Sequence, residues 1–324
     1  MLFYSALLLL LILCANASAF QRPPVRRSSN QYWTSFSDVQ KIFYFGDSYT
    51  KTGFDAEGDQ PSSSNPLGNP AYPGRTSSNG PNWVDYLTVR YNDSSIFSYD
   101  FAVGGSTVDN SIIKNGYDFV DQLYEDFIPN YGDGETWSSE TSLFAVWFGI
   151  NDVVNSYQAD NFTDIQSAVY GRYSFLVGKL YALGARNFLF INVPPLERSP
   201  RITGSSAAAT RVPLANSATL SFNKYVARVA DRVRSRHGDT TVFEIDAHAL
   251  FNQVIDDWES LEQTKVYKDT TAYCEAYKNG TPLPDTKWDN CTYAANEYLW
   301  LNSLHPTSPM HDALASEIAN VLGA

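Results

Sequence analysis

An α/β fold built on a parallel sheet is predicted by three observations. Short, continuously apolar stretches alternate with longer stretches of helical periodicity. Three of the apolar stretches run directly into small polar turns. No repeat or low-complexity linker divides the chain, so one domain of ordinary size is expected. Strands that are apolar throughout, rather than alternating, are what a sheet covered on both faces demands.

The elements follow in order. Residues 20–40 are polar and Pro-containing, carry Arg22, Arg26 and Arg27, and read as an irregular N-terminal arm before a domain spanning 41–324. Residues 41–45, Lys-Ile-Phe-Tyr-Phe, form a first buried strand ending at Gly46-Asp47-Ser48. Residues 53–82 are rich in Gly, Pro, Ser and Asn and predict a long loop, of the kind that shapes a substrate cleft. A helix over 83–89 and a strand over 96–103, ending in Gly104-Gly105, come next. Val120, Leu123, Tyr124 and Phe127 recur at helical spacing, with Pro129 expected to stop that helix. A third strand, 142–148, runs into Gly149-Ile150-Asn151-Asp152. A helix over 165–183 ends at Gly184, and a fourth strand, 187–193, is halted by Pro194-Pro195. A helix over 214–233 and a fifth strand over 241–245 follow. The last helix begins with Ser308 as cap and Pro309 in its first position.

In parallel sheets, ligands bind beyond the carboxyl ends of the strands. Three predicted strands end in Gly46-Asp47-Ser48, Gly104-Gly105 and Gly149-Ile150-Asn151-Asp152, so the three turns converge on one edge.

Residues 1–19 read as a secretory signal peptide, with an apolar core over 7–13 and Ala17-Ser18-Ala19 as a cleavage site. That core is too short for a membrane span, and no later stretch approaches ~20 uninterrupted apolar residues. Cys14 leaves with the signal peptide, so Cys274 and Cys291 remain, most simply as one disulfide in an oxidising compartment. Sequons at Asn92, Asn161, Asn279 and Asn290 suit a secreted glycoprotein, although Pro282 weakens the third. A net charge of -12 and a pI near 4.7 argue against nucleic acid or anionic membrane as partners and favour a neutral substrate. The 21 Tyr residues suggest amphipathic rings at a surface or groove, beside ordinary packing. A secreted, extracellular monomer is expected.

Ester hydrolysis by serine needs a nucleophile, a base and donors for the developing oxyanion. Ser48 is the candidate nucleophile. Its own N–H, the N–H of Gly105 and the side-chain amide of Asn151 are candidate donors. His305, in Leu304-His305-Pro306-Thr307, is the candidate base. Asp47 and Asp152 are expected to hold the turns by hydrogen bonds. His311 and Asp312 fall in the first turn of the last helix as structural residues. His237 reads as a helix C-terminus and His248 as a surface or core histidine. No ligand spacing suggests a metal, and no dinucleotide or phosphate loop suggests a cofactor.

Block by block, these residues resemble the SGNH hydrolases of the GDSL esterase/lipase superfamily. Phe45-Gly46-Asp47-Ser48-Tyr49-Thr50 is similar to the first block, with Tyr where Leu is usual. The segment Asp100-Phe101-Ala102-Val103-Gly104-Gly105-Ser106-Thr107 is similar to the second, and its register favours Gly105 over Gly104 as donor. Gly149-Ile150-Asn151-Asp152 and Leu304-His305-Pro306-Thr307 are similar to the third and fifth. The resemblance implies a single three-layer α/β/α domain of flavodoxin-like kind with a mostly parallel sheet. Within the superfamily the chain most resembles secreted fungal acetyl esterases of carbohydrate esterase family sixteen, which implies removal of O-acetyl groups from hemicellulose-derived oligosaccharides. Related lipases and phospholipid-cleaving enzymes share the blocks, so longer acyl esters are the alternative substrate. One departure stands out: the family usually places Asp three residues before the catalytic His, and this chain has Asn302. Asn302 is therefore a candidate orienter of His305, beside a backbone carbonyl or another carboxylate. The departure, together with the Tyr content, motivates a second reading as a catalytically silent carbohydrate-binding relative.

Overall fold

The computed structural model describes residues 32–92 and 94–323. The signal peptide 1–19 and residues 20–31 of the N-terminal arm lie outside the described residues. The five strands are β1 (Lys41–Gly46), β2 (Phe97–Asp100), β3 (Ser142–Trp147), β4 (Asn187–Ile191) and β5 (Thr241–Ile245). They form one sheet in the order β2-β1-β3-β4-β5, and every pairing is parallel. This is the doubly wound order in which the connection reverses direction between β1 and β3, the switch point where such sheets open a ligand crevice. The prediction of a mostly parallel sheet understates the result. All six residues of β3 and all five of β4 are buried, as strands covered on both faces must be.

Side chains alternate across β1 and assign the two outer layers. Tyr44 points to the layer of α1 (Trp83–Val89), its ring meeting Trp83 edge-on at 5.3 Å. Phe43 and Phe45 point the other way and meet Phe127 at 5.3 and 5.6 Å. That second layer is entered by α2 (Phe119–Asp121), a π-helical stretch Gln122–Phe127 and α3 (Ile128–Tyr131). Helices α4 (Ile150–Ser156), α5 (Phe162–Ala182), the single turn α6 (Pro200–Thr203), α7 (Ala208–Arg236), α8 (Ala247–Asp256) and α9 (Ser308–Gly323) complete the set. Much of the aromatic content goes into the core: Phe43, Tyr99, Phe101, Phe127, Tyr131, Trp137 and Phe144 form one contiguous cluster.

Several boundaries differ from expectation. Pro129 does not stop its helix. The widened π turn resets the hydrogen-bond register, so Pro129 enters a new α turn near its start, where a missing N–H needs no partner. Helix α7 starts six residues before Leu214 and carries Pro213 inside it. Ser308 is the first helical residue rather than a cap, and its hydroxyl donates to the Pro81 carbonyl at 2.6 Å. Residues 32–40, read as part of an irregular arm, carry a 3-10 turn, Phe36–Asp38. They pack on the domain through buried Phe36 and Val39. The loop 53–82 contains no helix or strand, as expected.

The Cys274–Cys291 disulfide is present, with Cα atoms 5.7 Å apart. It closes a lobe with its own small apolar cluster of Tyr277, Cys291, Ala295, Tyr298 and Leu301. No helix among the described residues is long and apolar enough to cross a membrane.

Candidate active site

The Ser48 turn is gripped from three sides. Strand β1 ends at Gly46, where an added Cβ would lie 2.8 Å from Thr50 Oγ1 and 2.9 Å from the Trp147 carbonyl oxygen, so the chain can bend sharply only with glycine. The Asp47 carbonyl accepts from the N–H groups of Thr50 and Lys51 (3.0 and 2.9 Å), and its carboxylate accepts from Tyr49 N–H at 3.0 Å. Asn82 caps α1 with its side-chain oxygen, taken by the N–H groups of Val84 and Asp85. Its amide nitrogen donates to the carbonyls of Thr50 (2.6 Å) and Lys51 (3.1 Å). One residue thus ends a helix and pins the serine turn.

His305 arrives on the loop before α9. Its Nε2 lies 2.7 Å from Ser48 Oγ, and its Nδ1 lies 3.0 Å from Asn302 Oδ1. Which way the Asn302 amide points decides what the pair can do. Oδ1 also accepts from the backbone N–H of Leu304 (3.0 Å) and of His305 itself (2.9 Å), while Nδ2 donates to the Lys278 carbonyl at 3.3 Å. Flipping the amide would set NH2 against two N–H donors and carbonyl against carbonyl. The oxygen is therefore held toward the imidazole, which keeps its proton on Nδ1 and its lone pair on Nε2, facing Ser48. An unconstrained Asn in this place can present its NH2 and select the wrong tautomer, the failure seen when Asp becomes Asn in trypsin. Here the backbone prevents it.

The candidate oxyanion donors sit around this pair. An added Cβ at Gly104 would lie 3.9 Å from Ser48 Cβ, which places the Gly104-Gly105 turn against the serine. Gly105 has φ +84, a conformation that favours glycine, and its carbonyl is tied down by Asn115 Nδ2 at 2.6 Å. Asn151 occupies the first turn of α4. Its Nδ2 spends one hydrogen on the Ser106 carbonyl at 3.0 Å, leaving the other for a ligand. The backbone N–H groups of Ser48 and Gly105 donate to no backbone carbonyl among the described residues. Helix α4 can follow β3 without a loop because of Gly149. Its φ is +129, and a Cβ there would lie 2.3 Å from Phe222 Cε1. Asp152 accepts from Val108 N–H at 3.1 Å and ties α4 to the Gly105 segment.

Three contributors were not foreseen from the sequence. Gln122, fully buried in the π-helical stretch, accepts from Gly46 N–H (3.0 Å) and donates to the Gly46 carbonyl (2.8 Å) and to Ser106 Oγ (3.1 Å). It thereby bolts the serine strand to the segment that carries Gly105. Tyr49, where Leu is usual, donates its hydroxyl to the Leu304 carbonyl at 2.5 Å and meets His305 edge-on at 5.7 Å. The Lys278 carbonyl holds the Asn302 amide. Tyr in the place of the usual Leu was the signal for Tyr49, whereas the π turn that carries Gln122, of a kind that clusters at functional sites, cannot be read from side-chain periodicity.

Burial, reinforced by the Arg201 charge, pushes the His305 pKa down to about 4, so the ring is a neutral base over most of the pH range. His311, buried beneath Tyr49, is pushed to about 3, again by burial first. Burial raises Asp47 and Asp152 to about 7, each partly offset by the backbone N–H it accepts. His248 lies apart, 3.6 Å from Glu197, and His237 caps the end of α7 against the ring of Tyr181. Among the described residues, no group of three or more His, Cys, Asp or Glu is gathered as a metal site would require. The arrangement can deprotonate a serine, hold a neutral imidazole in one tautomer and stabilise an oxyanion with backbone and amide donors.

A family model described as GDSL-like Lipase/Acylhydrolase matches residues 42–318. The chain is 31% identical over 285 residues to an acetylesterase of Thermothelomyces thermophilus, covering 86% of this chain and 87% of that one. It is 26% identical over 189 residues to a GDSL esterase/lipase of Arabidopsis thaliana, covering 55% and 51%. In three dimensions it superposes with a TM-score of 0.51 at 15% identity on Axe2, an acetylxylan esterase of Geobacillus stearothermophilus, covering 90% of this chain and 97% of that one. That likeness speaks to the fold.

Proposed function

The chain belongs to the GDSL-like lipase/acylhydrolase family, and from that premise we propose that it is a secreted serine O-acetylesterase acting on acetylated carbohydrates through an acyl-enzyme. The observation that carries the reading is the Asn302–His305–Ser48 relay, with contacts of 3.0 and 2.7 Å, at the switch point of the sheet. Ser48 Oγ attacks the acyl carbonyl carbon while His305 Nε2 takes its proton. The oxyanion is met by the N–H groups of Ser48 and Gly105 and by the free amide hydrogen of Asn151. The proton then passes from Nε2 to the leaving sugar oxygen, and water repeats the sequence to release the acid.

The acetyl preference is supported by the likeness, over 86% of this chain, to the acetylesterase of Thermothelomyces thermophilus. A silent carbohydrate-binding protein was motivated by Asn302 and the Tyr content. The enforced orientation of the Asn302 carbonyl oxygen removes the first motive, because a neutral Asn so held still fixes the reactive tautomer. The signal peptide supports secretion. Glycans are proposed at the exposed Asn161 and Asn290 before Asn92, whose side chain is committed to the Thr88 carbonyl at 2.7 Å.

The test is a chain-length profile on p-nitrophenyl esters, together with acetate release from acetylated xylo-oligosaccharides. Acetyl is expected to be fastest, with loss of activity in Ser48→Ala. A maximum at octanoyl or longer would reassign the protein as a lipase, and hydrolysis surviving Ser48→Ala would remove the serine from the site.

A further inference from the structure

A groove of about 640 Å3 opens directly beside the catalytic pair, with His305 and Asn302 at one end. Its walls are the long loop 53–82 and the disulfide-closed lobe, including Lys278, Asn279 and Leu301. A volume of this size lies within the range of ~300–1,000 Å3 common for small-ligand sites. Because His305 lines the groove and its Nε2 lies 2.7 Å from Ser48 Oγ, a group bound there lies next to the acyl group held at Ser48.

The chemistry of the lining runs against the rest of the molecule. The chain has 35 acidic and 23 basic residues, yet Arg75 and Lys278 line the groove and no Asp or Glu does. Arg75 is exposed and enters no ion pair among the described residues. Lys278 is paired with Glu275 at 2.5 Å, but both side chains are solvent-exposed, and an exposed pair of this kind is weak and easily exchanged. A third cation, Arg201, acts on His305 from close by. In a chain of net charge -12, an anionic group entering this cleft meets cations and no carboxylate among the lining side chains. The rim adds Tyr72, 48% exposed, whose ring offers a face to sugar C–H groups.

We propose that this groove is a subsite for an anionic sugar, in which Arg75 and Lys278 bind the carboxylate of a uronic acid on the glycan that carries the acetyl group. The proposal rests on the O-acetylesterase reading and narrows it: the preferred substrate is an acidic acetylated oligosaccharide rather than a neutral one. The Arg fork matches a planar carboxylate with two parallel hydrogen bonds, and the Lys ammonium adds a point charge. The expectation of a neutral substrate, drawn from net charge, is reversed at the one place where charge meets ligand. The sequon at Asn279 lines the same groove, so a glycan there would compete with substrate for it.

The test measures binding, so it is separable from catalysis. A Ser48→Ala variant of the full chain is titrated calorimetrically with three deacetylated xylo-oligosaccharides of equal length: one neutral, one bearing a single glucuronic acid, and one bearing its methyl ester. The acid is expected to bind about tenfold more tightly than the other two, with the advantage shrinking in high salt. Arg75→Gln in that background should reduce the ratio to about twofold. Lys278→Gln, which keeps the backbone carbonyl that holds Asn302, should reduce it less. Equal binding of acid and neutral sugar, an ester that binds as well as the acid, equal weakening of both by Arg75→Gln, or no binding of either would overturn the proposal. An inactive wild-type enzyme that still discriminates the acid would instead refute the esterase reading and leave the groove standing.

Discussion

Replacing Asn302 by Asp tests the reasoning about the site most directly, because it restores the family's usual residue into a network built for an amide. Burial holds the His305 pKa at about 4. A carboxylate oxygen in place of Oδ1, 3.0 Å from Nδ1, sets a full negative charge roughly 4 Å from the imidazolium. At an effective dielectric constant near 20, this is worth about 4 kcal/mol, or about 3 pKa units. His305 should then titrate near 7. The sign follows: the base works only when neutral, so activity rises as pH climbs through the His305 pKa. The acid limb of kcat/KM should therefore move from near pH 4 in the wild type to between about 6 and 7 in the variant. At pH 5 the variant should retain only a few per cent of its own plateau, while the wild type runs near its maximum. The plateau at pH 8 should equal or exceed that of the wild type, since the carboxylate stabilises the imidazolium formed during attack. A second effect separates this from generic damage. Asp Oδ2 would face the Lys278 carbonyl, to which Asn302 Nδ2 now donates at 3.3 Å in a solvent-exposed bond, and its loss should cost about 0.5–1.5 kcal/mol of stability. Initial rates across pH 3.5–9, paired with thermal melts, read both. Coincident acid limbs in the two proteins would mean that His305 is not the base or that Asn302 does not contact it.

Two further outcomes follow from the supports of the site. Gln122→Leu leaves Gly46 N–H and Ser106 Oγ without these partners in a dry interior and the Gly46 carbonyl with the 3.3 Å bond from Val103 N–H, so stability should fall by about 2–4 kcal/mol. kcat should also drop at least tenfold with KM little changed, because the serine strand and the Gly105 segment lose their shared bolt; a lowered melting temperature with unchanged kcat would make Gln122 purely structural. Replacing Cys274 and Cys291 together by Ser removes a cross-link with a sequence separation of 17, worth roughly 3 kcal/mol in the chain-entropy account. Because the Lys278 carbonyl sits in the lobe it closes, the double variant should also lose kcat, and lost stability with full activity would sever the inferred path from the disulfide to Asn302.

How much of this was legible in the sequence depends on the kind of physics involved. The five strands were legible because a parallel sheet buries both faces, and 41–45, 142–147 and 187–191 are apolar runs that can do nothing else. Ser48, Gly105 and Asn151 were legible because each follows a strand whose end must lie on the same edge, whereas Asn302 and His305, on the loop before α9, were picked out by their motif alone. Helix α8 was overlooked although its signal was present: Asp246 caps it, and Ala247, Leu250, Phe251, Val254 and Ile255 repeat at helical spacing. The proline boundary at 129 was misplaced for another reason: a proline rule assumes an unbroken α ladder, and here a π turn changed what the ladder required.

The role of Asn302 was out of reach for a deeper reason. Composition shows an amide where an acid is usual, and from that alone a weakened or silent site follows. What rescues the amide is its orientation, and that is set by backbone N–H groups two and three residues away in a tight turn and by a carbonyl from a lobe 24 residues earlier. None of those three partners is a side chain, so no residue identity announces them. The same holds for the groove: Arg75 and Lys278 are 203 positions apart, and only the folded loops bring the two cations to one groove with His305. A charge count over the whole chain points to a neutral substrate because it averages over the surface, whereas a ligand in the groove meets only the local field.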